Sequence, residues 1–246
     1  MVTTNALSEV AALAGDPARA GMLLALMDGR ARGATDLASI AGVSGPTASG
    51  HLAKMIDAGL LVAERQGRRR LFSLAGPEVS RMIEAIMAVA APLADTREGA
   101  KPASARAAWR RDARLRLCRT CYDHLAGQVG SAVADALRRD GHLEPGEGKD
   151  WTLTGKGDLF CRRIGVDLDA ARALADTGRR KFARQCLDWS ERRPHVAGAL
   201  GAAFCDLLLA RDWVARARGG RALELKPAGR LALRRVFDVE VPALPA

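Results

Sequence analysis

Long apolar runs are missing from this sequence. No stretch approaches about 18 consecutive apolar residues, the least that spans a bilayer, so no membrane segment is expected. The N-terminus has no basic stretch followed by an apolar run, so no secretory leader is expected either. Cysteine is scarce and unevenly placed, with five in 246 residues and none before Cys118. An odd count without a leader fits a reducing compartment, and the expected location is cytoplasmic. Acidic residues are outnumbered, 28 against 38 lysines and arginines, for a net charge of +10. That balance suggests a polyanionic partner, although the basic residues are spread along the chain. Catalytic signatures are missing too: there is no glycine-rich phosphate loop, no H-E-x-x-H and no nucleophile elbow, and no enzyme is expected. What is present is apolar residue enough for real cores, 48%, in a chain long enough for one large domain or two ordinary ones.

Residues 5 to 27 read as amphipathic helix interrupted at Gly15-Asp16-Pro17, with Asp16 as a cap and Pro17 opening a second helix. "DGRARG" at 28 to 33 reads as a loop. "TDLASIA" reads as a short helix capped by Thr35, and "GVS" as a tight turn. Ser44 caps the next helix, whose body runs from Thr47 to Ala58 and ends at Gly59. "LLVAER" and "RRRLFSL" alternate as two strands around a turn at Gln66-Gly67. Pro77 to Ala91 is a further striped helix, and the polar segment 95 to 107 reads as a linker.

Helix, helix, turn, helix, two-stranded hairpin, helix is the order of a winged helix-turn-helix. Ala48, Leu52, Met55 and Ile56 share one face of the fourth helix and should pack inward. Thr47, Gly50, His51 and Lys54 then face outward, with Ser49 at the edge. Small and hydrogen-bonding residues suit a helix whose backbone must approach base edges in a major groove. With Ser44 at the cap, these are the candidate DNA contacts. Arg68, Arg69 and Arg70 follow at the hairpin, where guanidinium groups can reach phosphates. Taken singly, a triple arginine is an ordinary solvated turn and Gly50 an ordinary weak helix position. Their order is what points to DNA.

On "DPARAGMLLAL", on "TDLASIAGVSGPTASGHLAKMIDAGLLVAERQGRRRLFSL" and on the helix after Pro77, residues 5 to 91 resemble the ArsR/SmtB family of bacterial transcriptional regulators. The resemblance implies a homodimer joined by its first and last helices. It also implies a repressor that an inducer releases from a two-fold symmetric double-stranded operator. Two departures matter. Many metal-sensing members carry paired cysteines in the helix before the recognition helix, where this chain has "TDLASIA". The helix from 77 to 91 holds Glu78 and Glu84 but no histidine, so a metal site on the terminal dimer helix is not expected.

The remaining sequence contains an internal repeat. "HLAGQVGSAVADALRRDGHL" at 124 to 143, then "WTLTGKGDLFCRR", matches "HVAGALGAAFCDLLLARDWV" at 195 to 214, then "LELKPAGRLALRR". His124 aligns with His195, Gly127 with Gly198, and Gly130 with Gly201. Each copy reads as helix, glycine-rich bend, helix, strand pair, helix. The expected architecture is mainly α with small β-wings. A winged-helix domain (1–94) and a linker (95–107) precede a C-terminal domain (108–246) of two winged-helix-like copies, about 108–165 and 178–240.

Two sensor candidates arise there. In "RLCRTCYDHLAG", Cys118 and Cys121 fall three apart on an expected helix, with His124 three further on, a donor set for a soft or borderline metal or for thiol oxidation. Arg116 and Arg119 beside them would lower a thiol pKa. The plainer reading makes Leu117, Cys118, Cys121, Tyr122 and Leu125 an apolar stripe of buried core. Alternatively His124 and His195 converge with Cys121, Tyr122, Asp123 and Trp189 on one effector pocket. Cys161, Cys186 and Cys205 read as isolated core residues. The sequence assigns no cofactor beyond this candidate metal. An architectural DNA-binding protein without an inducer is the remaining alternative, and a separate second core argues against it.

Overall fold

The computed structural model describes residues 3–95, 113–178, 180–217 and 221–242. The chain divides into two compact units, Met1–Ile83 and Glu84–Ala246. The division falls inside a helix. Most of the expected linker, residues 96–107, lies outside the described residues.

The first unit runs α1 (Thr4–Gly15), α2 (Pro17–Leu26), β1 (Arg32–Gly33), α3 (Ala34–Ala41), α4 (Gly45–Asp57), β2 (Leu61–Gln66), β3 (Arg69–Leu74) and the start of α5 (Pro77–Asp95). Asp16 caps α2 by accepting the Arg19 amide, and Pro17 sits in the first turn, where its missing N–H costs nothing. Ser44 caps α4 through the Thr47 amide in the same way. Met22, Leu23, Leu26, Leu37, Ala48, Leu52, Met55, Phe72 and Leu74 are buried as one apolar interior. The outer side of α4 and the hairpin are thereby left to solvent.

Four details differ from the expectation. Arg32–Gly33 is not loop but a short strand, paired antiparallel to β3 through Arg32↔Phe72 and Gly33↔Leu71, giving the order β1-β3-β2. Two residues are too few to show a period, and their partner is distant in sequence. Thr35 does not cap α3; Gly33 holds that position without a side-chain bond. The hairpin turn is Gly67-Arg68, since Gln66 pairs with Arg69. Gly67, with φ +61°, supplies the left-handed first position that a two-residue turn needs. Finally, α5 continues to Asp95, past the expected end at 91.

The second unit is built from short hairpins and helices. Hairpin β4 (Arg119–Cys121)–β5 (His124–Ala126) leads into α6 (Gly127–Arg139). Hairpin β6 (Leu143–Pro145)–β7 (Trp151–Leu153) leads into α7 (Gly155–Ile164). After α8 (Leu168–Asp176) the same order recurs: β8 (Arg184–Leu187)–β9 (Pro194–Ala197), α9 (Gly198–Ala210), β10 (Val214–Arg216)–β11 (Leu223–Leu225), α10 (Pro227–Phe237). Val129, Val133, Leu137, Phe160, Leu200, Phe204, Leu208, Leu233 and Phe237 are packed into one shared core. The halves also exchange backbone contacts reciprocally. Arg119 of the first hairpin bridges to Ala222, and Arg184 of the third bridges to Asp150.

Here the sequence reading of 116–125 as a helix is corrected. Helix ends at residue 117, and β4 and β5 follow, closed by Tyr122-Asp123, with Tyr122 at φ +62°. The spacing of Leu117, Cys118, Cys121, Tyr122 and Leu125 imitates a helical stripe. The real cause is that every residue of both strands is buried, so no alternation marks them as strands.

Candidate functional site

On α4, Ser44, Thr47, Ser49, Gly50 and Lys54 are exposed, and Ala48, Leu52 and Met55 are buried beneath them. Ile56 is half-buried. Ser44 Oγ lies 2.8 Å from Thr47 Oγ1, and Ser49 Oγ donates to the Gly45 carbonyl at 3.0 Å. These short side chains are held against the helix and present a low surface. A Cβ added at Gly50 would meet nothing within 4 Å. His51 is half-buried, with Nδ1 3.2 Å from an Arg19 guanidinium nitrogen, so Arg19 of α2 joins this face. Sequence spacing alone did not indicate that.

Arg68, Arg69 and Arg70 are exposed on the hairpin, Arg70 over the Phe72 ring at 5.4 Å. The register also sets Arg65 directly opposite Arg70. Like charges facing each other across strands are unfavourable unless an anion shares them. Arg65 belongs with the candidate residues. Its signal was the strand register, which the misplaced turn obscured.

In the second unit, β4–β5 sets Cys121 directly across from His124, and β8–β9 sets Cys186 across from His195. Directly opposed residues project to the same face of a hairpin. The two faces meet. The ligating atoms of Cys121, His124, Cys186 and His195 all lie within 4.8 Å of one another, and all four residues are buried. The thiol sulfurs are 3.9 Å apart, and the imidazole centroids 5.1 Å. Close glycines make the approach possible. A Cβ at Gly130 of α6 would lie 3.5 Å from His195 Cβ and 2.6 Å from the Leu125 carbonyl oxygen. One at Gly201 of α9 would lie 3.1 Å from His124 Cβ and 2.2 Å from the Val196 carbonyl oxygen.

Each imidazole has a carboxylate behind it. His195 Nδ1 is 3.3 Å from Asp188, and His124 Nδ1 is 3.3 Å from Asp123. Asp188 is buried and accepts from Arg119 (2.8 Å), the Gly127 amide (2.7 Å) and the Ser190 amide (2.9 Å). Burial would raise its pKa, but His195 and Arg119 outweigh that and hold it far below the carboxylate range. Asp123 is held by the two terminal Nη atoms of Arg180, one at 2.6 Å. Burial opposes ionisation there too, yet His124 and Arg180 bring its pKa to about 2. Among the described residues, His124 Nε2 and both ring nitrogens of His195 are buried without a hydrogen-bond partner. Four soft or borderline donors thus converge, a set suited to a tetrahedral cation.

Several sequence candidates are not part of this cluster. Cys118 packs in the shared core, and burial, with Cys205 nearby, drives its thiol pKa up, not down as Arg116 and Arg119 were expected to do. Trp189 lies on the Arg119 guanidinium at 4.8 Å, and Tyr122 is a half-buried turn residue. The two imidazoles pack on each other instead of lining an open effector pocket. Cys186 enters the cluster although the sequence marked it as isolated core. Cys161 and Cys205 are buried, their thiol pKa values pushed up to about 12 by desolvation. A groove of about 350 Å³ lies elsewhere in this unit, lined by Ala170, Ala171 and Leu174 of α8 and Ala202, Ala203 and Asp206 of α9.

The family model described as "Bacterial regulatory protein, arsR family" matches residues 16–62, from the cap of α2 to the start of the wing. The chain is 36% identical over 237 residues to the uncharacterized HTH-type transcriptional regulator YdfF of Bacillus subtilis, across 96% of this chain and 98% of that one. Among solved structures, a homodimeric winged helix-turn-helix DNA-binding domain of Mb0332 from Mycobacterium bovis, a possible ArsR-family transcriptional regulator, is 24% identical. It covers 39% of this chain and 89% of its own, with a TM-score of 0.34. NolR from Sinorhizobium fredii is 20% identical over 35% of this chain and 84% of its own, with a TM-score of 0.33. No described helix is long and apolar enough to cross a membrane. With a family match on the helix-turn-helix itself and a relative similar along nearly the whole chain, the protein belongs to the ArsR family and is a DNA-binding transcriptional regulator.

Proposed function

We propose that the protein is a homodimeric repressor that binds a two-fold symmetric operator and leaves it when an effector acts on the second unit. In this reading α4 enters the major groove. Ser44, Thr47, Ser49, Gly50 and His51 read base edges, and Lys54, Arg68, Arg69 and Arg70 hold phosphates. The observation that carries it is the wing. Arg65 and Arg70 are paired across the strands while Arg68 and Arg69 stand exposed at the tip, an arrangement an anionic backbone would relieve. Two recognition helices about 34–36 Å apart would enter successive major grooves, and a modest change in that spacing would abolish one half-site.

Fluorescence anisotropy against DNA from upstream of the gene tests this. Salt-sensitive binding of two chains per duplex is expected, tighter than to a random duplex. No preference on any duplex of the upstream region would overturn the operator reading. A 1:1 complex would overturn the dimer.

A further inference from the structure

We propose that the second unit holds one zinc ion through Cys121, His124, Cys186 and His195, as a closed clasp between its two hairpin–helix halves. The donor set is the first reason. Two thiols and two imidazoles, each residue buried, offer the tetrahedral sulfur and nitrogen ligation that zinc favours. Zinc–sulfur bonds of about 2.3 Å and zinc–nitrogen bonds of about 2.0–2.1 Å put tetrahedral donors roughly 3.3–3.8 Å apart. The sulfurs already stand 3.9 Å apart, and all four donor atoms lie within 4.8 Å of one another. A small inward rotation of the side chains closes the shell.

The surroundings are the second reason. A metal-binding histidine commonly directs its other ring nitrogen at a carboxylate, which fixes the tautomer and raises its basicity. His124 Nδ1 does so toward Asp123, and His195 Nδ1 lies 3.3 Å from Asp188 without a formed hydrogen bond; both carboxylates are anchored by arginines, Arg180 and Arg119. Among the described residues both Nε2 atoms, and His195 Nδ1 with them, are buried without a hydrogen-bond partner. Buried polar atoms normally find one, and a cation satisfies both Nε2 atoms at once. A disulfide would not. It would need the sulfurs at about 2.05 Å and would leave both imidazoles as they are.

The charges balance. Each thiol gives its proton to solvent, and two thiolates neutralise the divalent ion. The imidazoles bind as neutral donors with Nδ1–H toward their aspartates. Four protein donors leave no open position for substrate, the mark of a structural site. The donors come in equal parts from β4–β5 and β8–β9, which lie 65 residues apart at the two cysteines. Each histidine is seated over a glycine of the opposite half, His195 on Gly130 and His124 on Gly201. The clasp therefore joins the halves at a point where their backbones are already shaped for it.

The test uses the full chain, purified under reducing conditions without chelator and without DNA. Elemental analysis should find close to one zinc per chain. Cys186→Ser should lose most of it, and Cys205→Ser, a buried cysteine outside the cluster, should keep it. Asp188→Asn should bind zinc about 10- to 100-fold more weakly. Should the ligand variants fold poorly, the wild-type apoprotein is titrated with cobalt(II). Thiolate-to-metal charge transfer and the intense visible bands of a tetrahedral site, saturating at one equivalent, support the clasp. Three results overturn it: no zinc and no cobalt bands in reduced wild type, zinc fully retained by Cys121→Ser/Cys186→Ser, or a Cys121–Cys186 disulfide in the purified protein. The inference rests on residues 119–201 alone. Its failure leaves DNA binding standing, and a chain that never binds DNA leaves the metal content to be read as before.

Discussion

His51 and the pair His124–His195 show how differently the two units use a polar ring. His51 lies half-buried beside Arg19 on a helix whose neighbouring positions are open to solvent. His124 and His195 are enclosed, backed by carboxylates, and faced by thiols from segments far apart in sequence. On the outer side of α4 and at the wing, Lys54, Arg68 and Arg69 are exposed, so removing one should cost little until DNA is added. In the second unit the charged groups are enclosed with their partners, Asp123 with Arg180 and Asp188 with Arg119, so removing one strips contacts from a buried charge. Substitutions should therefore separate stability from binding cleanly between the units.

The largest effect is expected at Asp188. Truncation to alanine takes from buried Arg119 its 2.8 Å partner, leaving the Glu84 carboxylate 3.9 Å away, and leaves the Gly127 amide without its acceptor. Breaking a buried ion pair from one side costs roughly 3–5 kcal/mol. Denaturant unfolding of Asp188→Ala should lose about that much, and Asp188→Asn less. A loss below about 1 kcal/mol, the scale of an exposed pair, would mean that the enclosure of this network is overstated.

A pair of glycine substitutions sharpens the comparison, because opposite signs are expected. Gly201→Ala drives a Cβ into the Val196 carbonyl oxygen and against His124, and overpacking of this kind costs about 1–3 kcal/mol. Gly50→Ala has open space and sits inside a helix, where alanine is favoured by about 0.5–1 kcal/mol. The chain should become more stable. If Gly50 faces a DNA groove, the same variant binds its operator more weakly. Gain of stability without loss of affinity would remove Gly50 from the interface.

These contrasts also explain what could be read from the sequence. The α4 cap at Ser44, its inward face at Ala48, Leu52 and Met55, and the hairpin after it are local patterns with a period or a turn residue to mark them. The cysteine–histidine cluster has neither. Its first hairpin is buried throughout and copies a helical stripe. The alignment of His124 with His195 did point to the right pair of segments. Cys186 escaped because eight residues separate it from His195, whereas two separate Cys121 from His124, so the repeat falls out of step at the cysteines. The short strand β1 was hidden for a related reason, since its only signal is its partner β3.

At the wing, Arg68→Ala/Arg69→Ala should leave unfolding within about 0.5 kcal/mol of wild type, as exposed substitutions usually do. Binding to every duplex should weaken, and the slope of log affinity against log salt should flatten by about 0.9 for each lost phosphate contact. An unchanged slope would show that the wing does not touch the backbone, whatever α4 does.

The smallest effect separates burial from charge pairing within the second unit. His142 stacks on Phe160 with centroids 4.2 Å apart. Unlike His195, it has no carboxylate strong enough to offset its surroundings. Burial lowers its pKa below the ordinary 6.5, Lys156 and Arg163 push the same way, and Asp140 opposes them only in part. The folded state thus holds this proton less readily than the unfolded chain. Between the two pKa values the unfolded state binds more protons, so stability must fall as pH drops through 6.5 and level off once both states are protonated. His142→Gln should remove that contribution. The difference in unfolding free energy between wild type and variant should then drift against wild type from pH 8 to pH 5. A difference that stays constant over that range would mean that the ring is solvated well enough to titrate normally, and that the stacking on Phe160 encloses it far less than the cysteine–histidine cluster encloses His195.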